Sequence, residues 1–455
     1  MRNVIAIIVI LCLAIVALHR WNEPSSATLQ NAGDREEIVF WHFWGGRDLD
    51  VVRDVVARFN RSQDRFVVRE VAMPGNNFQA KLFLSIAGGS PPDLVNQDDP
   101  ILADWTAAGL IEPLDAVAST QEVAEAANAL LPAANRLSAI DGRMMALCNG
   151  LDIRAMYCNV TALKDAGQPI PGTLAEFERV VESLTPVGNV RNRDFFAFLP
   201  NHRHAWLWTA AFGGNLADAN RFNDPRMIEA LAWLQSFSKR YGASNVTAFQ
   251  QSDQSLPGKA FPLLPLSKTD SIGRYVFLVD GQWRVRDLES FAKGRAESGA
   301  RPIEFAVLPL PSAQNLPDAG WVNGNFFVVP RGARNKRGAW EFMKFWVGIG
   351  RPEEAAKTCA DGGWIPVTRQ VIEHPDYKAY LQAHPLMRPF VALAGSERQQ
   401  PLPMVPAADQ MKRLLDQTAY RLLANPDLDV ATELQGVDTQ VRSWAKGKRP
   451  TGAER

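Results

Sequence analysis

Cysteine is scarce in this chain, with four among 455 residues. Cys12 falls in an apolar N-terminal run, which leaves Cys148, Cys158 and Cys359 for the body. Three thiols allow one disulfide at most and leave one over. Cys148 and Cys158 sit on adjoining extended segments, so a bridge between them and a set of free buried thiols are both open readings. No Cys-x-x-Cys pair or metal-finger spacing occurs, which leaves zinc-finger function without support. Net charge is missing as well: 49 Lys and Arg balance 49 Asp and Glu, with no basic arm or charge block. Binding a phosphate backbone needs a cationic surface, so this balance argues against a nucleic-acid partner. The sequence holds no P-loop, no Gly-x-Ser-x-Gly and no His-Glu-x-x-His, hence no ground for an ATPase, a serine hydrolase or a zinc protease. Scattered carboxylates leave a glycosidase open, because the separation of an acid pair is a three-dimensional quantity. His202-x-His204 lacks a third ligand at supporting spacing and reads as a solvated loop rather than a metal site. Internal repeats and low-complexity segments are absent too.

What is present is an ordinary globular composition, 46% hydrophobic and 22% charged. The chain is too long for one hydrophobic core, so two lobes or domains are expected. Thirteen tryptophans are many. Several stand beside Gly or polar residues, where a flat ring can cover the apolar face of a polar ligand, although most such rings belong to cores. The single long apolar run spans residues 4–18, between Arg2 and His19. At about 1.5 Å per residue it reaches roughly 22 Å, short of a bilayer core of about 30 Å. Residues 1–22 therefore read as a signal peptide, with Ser25-Ser26-Ala27 as small residues for cleavage, or as an uncleaved membrane anchor. Either one exports the body of the chain. Residues 23–36 are polar and aperiodic, as a linker is.

Beyond the linker, strands and helices alternate. Residues 38–41 read as a buried strand, and residues 48–59 set Leu49, Val52, Val55, Val56 and Phe59 near helical spacing. A strand at 66–71 and a helix at 78–87 follow. This order predicts a largely parallel, doubly wound α/β sheet. Further helices are expected at 121–131, 174–184, 225–241, 336–347 and 408–423. The second of these opens with a capping box, Thr173 and Glu176. Extended segments are expected at 143–148, 151–158, 276–283, 305–311 and 321–330.

The most informative stretch is Gly88-Gly89-Ser90-Pro91-Pro92-Asp93-Leu94-Val95-Asn96-Gln97-Asp98-Asp99, closed by Ala108-Gly109-Leu110-Ile111-Glu112-Pro113-Leu114-Asp115. It reads as a helix end broken by Gly and Pro, a short apolar strand, and polar side chains past the strand's carboxyl end. Ligands of open α/β sheets sit at that end, which nominates Gln97, Asp98 and Asp99. Pro100 suits the first position of the next helix, so Asp99 is better read as its cap. The stretch resembles the G-x-P-P-D-[ILV]…G-L-[IL]-x-P-L-D run of extracellular sugar-binding proteins of ABC importers, the maltose-binding-protein-like group. Phe40-Trp41-His42-Phe43-Trp44-Gly45-Gly46 is similar to their first strand and ligand loop. The segment from Leu151 to Asn159 resembles their first crossover strand, with Cys158 in place of the usual aromatic residue. Gly281-Gln282-Trp283, Gly324-Asn325 and Gly363-Trp364-Ile365-Pro366 extend the likeness over most of the exported chain.

The resemblance implies a two-lobed, type II periplasmic-binding-protein fold with three crossings between lobes, near residues 151–154, 321–325 and 364–367. Residues 37–151 and 324–364 would form one lobe, and residues 152–323 and 365–455 the other. It also implies a monomeric, extracytoplasmic capture protein, without cofactor or catalysis, that closes on a carbohydrate and presents it to membrane permease subunits. A sugar offers hydroxyls at its edge and C–H groups on its faces, so carboxylates, amides and aromatic planes are the side chains to seek. Asp152 leads, at the family's acidic sugar-contact position, with a hinge salt bridge to Arg154 as its bland role. Trp283 is the first stacking candidate. Gln97, Asp98, Trp44, His42, Trp206, Arg203, Asn325 and Trp364 complete the set. Arg154 and Arg203 keep open an anionic ligand such as a glycerophosphodiester or a uronic acid, because guanidinium pairs well with phosphate and carboxylate. A glycan-processing enzyme on a similar scaffold is the alternative of another class.

Overall fold

The computed structural model describes residues 35–73, 78–98, 101–185, 195–216, 222–253, 261–267 and 269–445. The export segment, most of the linker and the Asp99 cap lie outside the described residues. The first strand, β1 (Glu36–His42), alternates as a half-buried strand does, with Ile38, Phe40 and His42 inward. Helix α1 (Gly46–Ser62) buries Val51, Val52, Val55, Val56 and Phe59, so the predicted helical stripe is the packed one. Strand β2 (Phe66–Ala72), helix α2 (Phe78–Ala87) and strand β3 (Leu94–Asp98) follow. Both β2 and β3 pair with β1 in parallel.

Asp93, at the entry to β3, has a structural role within the Gly88–Asp99 stretch. It is 5% exposed, and its carboxylate accepts from Val39 N (2.9 Å), Arg334 N (2.9 Å) and Asn335 N (2.7 Å). One buried acid thus joins the sheet to a segment some 240 residues further along the chain. Three backbone donors satisfy it, which is what a buried carboxylate requires.

The remaining elements that position the site are β4 (Leu147–Asn159), α3 (Leu174–Leu184), α4 (Ala205–Ala211), α5 (Pro225–Tyr241), β5 (Phe277–Gly281), α6 (Val285–Glu297), β6 (Phe305–Leu308), β7 (Gly320–Pro330), α7 (Lys336–Val347), α8 (Pro352–Gly362) and α9 (Ala408–Ala424). The Thr173–Glu176 capping box is formed at the start of α3. The sheet order is β2-β1-β3-β7-β4-β5, with β6 also on β4. Within that order the pairs of β2-β1-β3 are parallel, and β7 adds a short parallel partner at Gln399–Gln400. β7 runs antiparallel to β3, β4 antiparallel to β7, and β5 and β6 antiparallel to β4. The expectation of a largely parallel sheet is corrected accordingly. Helical crossovers make the first three strands parallel, whereas β4 and β7 are long strands shared between two halves of the molecule.

The fold is two-lobed. The first half of β4 pairs with β7, and the second half, from Arg154 on, pairs with β5 and β6. A further bridge joins Leu151 to Ile365. The segment predicted at 151–158 lies wholly in this strand, which reaches back to Leu147, whereas Arg143 and Met144 of the segment predicted at 143–148 pair instead with Ile140 and Ala139 in a separate two-stranded hairpin. The length of β4 settles the cysteines: Cys148 and Cys158 stand ten residues apart on it, about 33 Å at strand spacing, far beyond the reach of a disulfide. All three described cysteines are free and buried, and burial pushes each thiol up to about 12.

Candidate functional site

Strand register assembles a polar row where β4 and β7 pass between the halves. Asp98 of β3 lies opposite Asn325 of β7, and Asn325 lies opposite Gly150 of β4. Asn323 faces Asp152, and Arg154 faces Gly281. Cross-strand partners share a face and so do alternate residues of one strand, so Asp98, Asn325, Asn323, Asp152 and Arg154 stand on one side of the sheet. Gln97, opposite Phe326, takes the other side.

Asp152 is fixed by Gln282, a residue that the motifs do not single out. The Gln282 amide donates to Leu151 O (3.0 Å) and to Asp152 Oδ1 (3.2 Å), and its oxygen accepts from Ile153 N (3.1 Å). The crossing strand is therefore gripped on three consecutive residues by one buried side chain. Desolvation raises the Asp152 carboxyl above the usual carboxylate range, while the charge of Arg154 and the Gln282 hydrogen bond pull it back. Asp98 is raised as well, first by desolvation and then by the negative charge of Asp152. Asp98 thus senses the charge of Asp152 across the row.

Arg154 lies over the indole of Trp321 at 4.5 Å and over that of Trp283 at 5.3 Å from the ring centres. The cation holds the two rings in place through their electron-rich faces. Trp283 remains 39% exposed, a large apolar side chain partly open beside charged groups. Glycine makes this placement geometrically available. A Cβ on Gly281 would come within 2.2 Å of the Trp283 ring. The same device recurs at Gly362, where a Cβ would come within 2.5 Å of the Trp364 ring. In both Gly-x-Trp turns the indole lies against the glycine two residues earlier.

On the β1 side, Trp44, Trp346 and Trp364 form a stack, with ring centres 5.4, 5.6 and 5.9 Å apart and planes within 20° of parallel. His42 sits behind it, 5.7 Å from Trp44. Its Nε2 is 3.2 Å from Glu70 Oε2, and this hydrogen bond is the main reason the Glu70 carboxyl lies below its ordinary range. The other ring nitrogen of His42 is buried with no partner among the described residues.

Trp206 takes a core position, 2% exposed and edge-on to Phe222 at 5.7 Å. Arg203 is exposed on the turn His202–His204. That turn faces α9 across a cavity of about 620 Å³, lined also by Lys412, Asp416 and Tyr420. Desolvation first, and then the charges of Arg154 and Lys412, push the His204 imidazole down to about 3, so it is neutral at physiological pH. Among the described residues no group of three His, Cys, Asp or Glu is placed to hold a metal.

Sequence reasoning passed over Gln282, Trp321 and Trp346. Gln282 carried a signal, since it is the middle residue of the Gly-x-Trp turn. Trp346 carried none, because in the apolar helix α7 it reads as core.

The sequence profile of a family described as bacterial extracellular solute-binding protein matches residues 54–385. A maltotriose-binding protein of Pyrococcus abyssi is 23% identical over 350 residues, covering 75% of this chain and 69% of the relative. Among solved structures, the sugar-binding protein MalE of Xanthomonas citri superposes with a TM-score of 0.72 at 18% identity, over 91% of this chain and all of the other. The cyclic alpha-maltosyl-1,6-maltose binding protein of Arthrobacter globiformis gives a TM-score of 0.71 at 18% identity, over the same shares. At these identities the two superpositions speak for the fold.

Proposed function

We propose that this chain, which belongs to the bacterial extracellular solute-binding proteins, is the capture component of an ABC importer for a carbohydrate. Family membership is the premise, and its members are binding proteins of the extracytoplasmic side. The observation that carries the carbohydrate reading is the polar row beside a partly open indole: Asp98, Asp152 and Asn325 share one sheet face, and Trp283 stands partly exposed next to Arg154. Carboxylates and amides suit hydroxyls, and the ring suits the C–H face of a pyranose. The names of the relatives point the same way, since each binds a sugar or an oligosaccharide.

In this reading residues 37–151 and 324–364 form one lobe, and residues 152–323 and 365–455 the other, with the ligand in the cleft between them. Asp152, Trp283, Asp98, Trp44, His42, Asn325 and Trp364 line the cleft. The protein performs no chemistry; ligand shifts it from an open to a closed form because the closed form makes more contacts. Permease subunits would receive that form, and residues 1–22 would export the chain or tether it.

One observation favours an anionic ligand instead. Arg154, Arg203 and Lys412 gather around His204, and Arg203 has no carboxylate within ion-pair distance among the described residues. Against it stand Asp98 and Asp152, which would repel an anion at the row itself. A thermal-shift titration separates the two. Neutral oligosaccharides such as maltotriose should raise the melting temperature, by the linkage of a ligand that binds only the native state. A rise with uronic acids or glycerophosphodiesters alone would decide for the anion, and turnover of oligosaccharide would decide for an enzyme.

A further inference from the structure

The structure assigns a ligand contact to Asn149: we propose that its carboxamide exchanges hydrogen bonds with two neighbouring hydroxyls of the bound saccharide. The inference rests on the carbohydrate reading and adds to it a contact that none of the motifs reveals. Asn149 lies in β4 just before the crossing. Pairing with β7 steps from Gly150 opposite Asn325 to Cys148 opposite Phe326, so Asn149 is the extra residue of a β-bulge. Bulges re-aim side chains and recur beside functional sites.

The neighbours define its face. A Cβ on Gly324 would lie 3.1 Å from Cys148 Sγ and 3.2 Å from Leu137 Cδ1, so Cys148 points to the Leu137 side. A Cβ on Gly150 would lie 3.8 Å from Asn325 Nδ2, so Gly150 belongs to the side of Asn325. Asn149 alternates away from Cys148 and joins Gly150, which the bulge brings to the same side. Asn149 thereby stands in the row of Asp98, Asn325 and Asp152. Gly150 has no side chain, and apart from its chain neighbours a Cβ there would meet only Asn325 within 4 Å.

The carboxamide of Asn149 is 6% exposed by residue, and neither its oxygen nor its nitrogen has a hydrogen-bond partner among the described residues. The side-chain oxygen of Asn325 is buried and unpartnered as well. Buried amides in native proteins are hydrogen-bonded with few exceptions, and an exception calls for a cause. Here the two amides offer donors and acceptors on one face, the complement of adjacent hydroxyls that each donate and accept. Asp98 and Asp152 can accept from further hydroxyls of the same molecule and would repel an anion, so the partner is a neutral polyhydroxyl compound.

Calorimetric titration with an oligosaccharide panel beginning with maltotriose tests this, alongside the melting temperature of the ligand-free protein. Asn149→Leu keeps the branched shape, adds some volume and removes both unsatisfied atoms. It should leave the free protein as stable as before, or more so, while affinity falls roughly 10- to 100-fold. A panel member lacking one hydroxyl at the contacted pair should lose affinity for the wild type and lose none for Asn149→Leu. An Asn149→Leu protein that binds like the wild type overturns the inference alone. So does one that melts lower yet keeps its affinity, since that is the signature of a structural amide. If Asn149→Leu does not fold, Asn149→Ala is read by the same two measurements. Wild-type protein that binds no member of the panel removes the carbohydrate reading and this contact with it.

Discussion

At the scale of single residues, the chain places charge where folding alone would not. Asp98 has its carboxyl raised by desolvation and by Asp152. A carboxyl raised in the native state binds more protons than in the unfolded chain. Stability therefore falls as pH rises from the ordinary aspartate range, near 4, through the raised value. Asp98→Asn removes that cost. Its ligand-free melting temperature should exceed that of the wild type at pH 7, by about 1–2 °C for a protein of this size. The gain should vanish toward pH 4, where wild-type Asp98 is protonated as well. Affinity for saccharide should fall at the same time, because the amide accepts less strongly than the carboxylate. Scanning calorimetry at the two pH values checks the first half and a titration the second. Equal melting temperatures at pH 7 would show that Asp98 is not under strain.

At the scale of elements, the sequence was legible wherever periodicity and capping act locally. Helices 174–184, 225–241 and 336–347 appear with the predicted bounds, because the capping residue and apolar stripe that define them are contiguous. The direction of β7 was not legible, nor was the full extent of β4, since both depend on partners more than a hundred residues away. Of the candidate site, Asp98, Asp152, Asn325 and Trp283 were found through motifs. Gln282 was passed over because its work is done on the backbone of another strand, and the Asn149 bulge because register cannot be read from one strand alone. The Gly-x-Trp turn lies between these cases: its residues are visible, but the reason for the glycine is geometric. Gly281 has φ of −90°, a value any residue adopts, so its substitution would act only through the indole against it. Gly281→Ala should displace the Trp283 ring and cost affinity roughly tenfold, as loss of one aromatic contact does. It should change stability little, since that ring is 39% exposed. Tryptophan fluorescence titration with circular dichroism would check both. A large loss of stability with full affinity would make the turn a structural element and remove Trp283 from the site.

At the scale of the whole molecule, the backbone links seen at the site among the described residues are two strands and one bridge. β4 and β7 cross, and Ile365 adds a bridge to Leu151. A narrow connection lets two compact bodies rotate while their cores stay packed, which is how hinge closure differs from local unfolding. On the proposed division into lobes, Arg286 of α6 adds a contact across them: it donates to Asp361 O (2.9 Å) and stands 3.7 Å from Asp48 of α1. Gly363, with φ of +61°, leaves room for that guanidinium, since a Cβ there would lie 2.8 Å from it. A contact of this kind biases the open–closed balance toward whichever form holds it, and a ligand shifts the balance only by its differential affinity. Small-angle scattering should show the radius of gyration falling when saccharide saturates the protein. If Arg286 holds the closed form, Arg286→Ala should weaken binding and enlarge the liganded particle. If it holds the open form, the same change should tighten binding and shrink the ligand-free particle. A radius unchanged by ligand in wild type and variant alike would mean that capture proceeds without hinge closure.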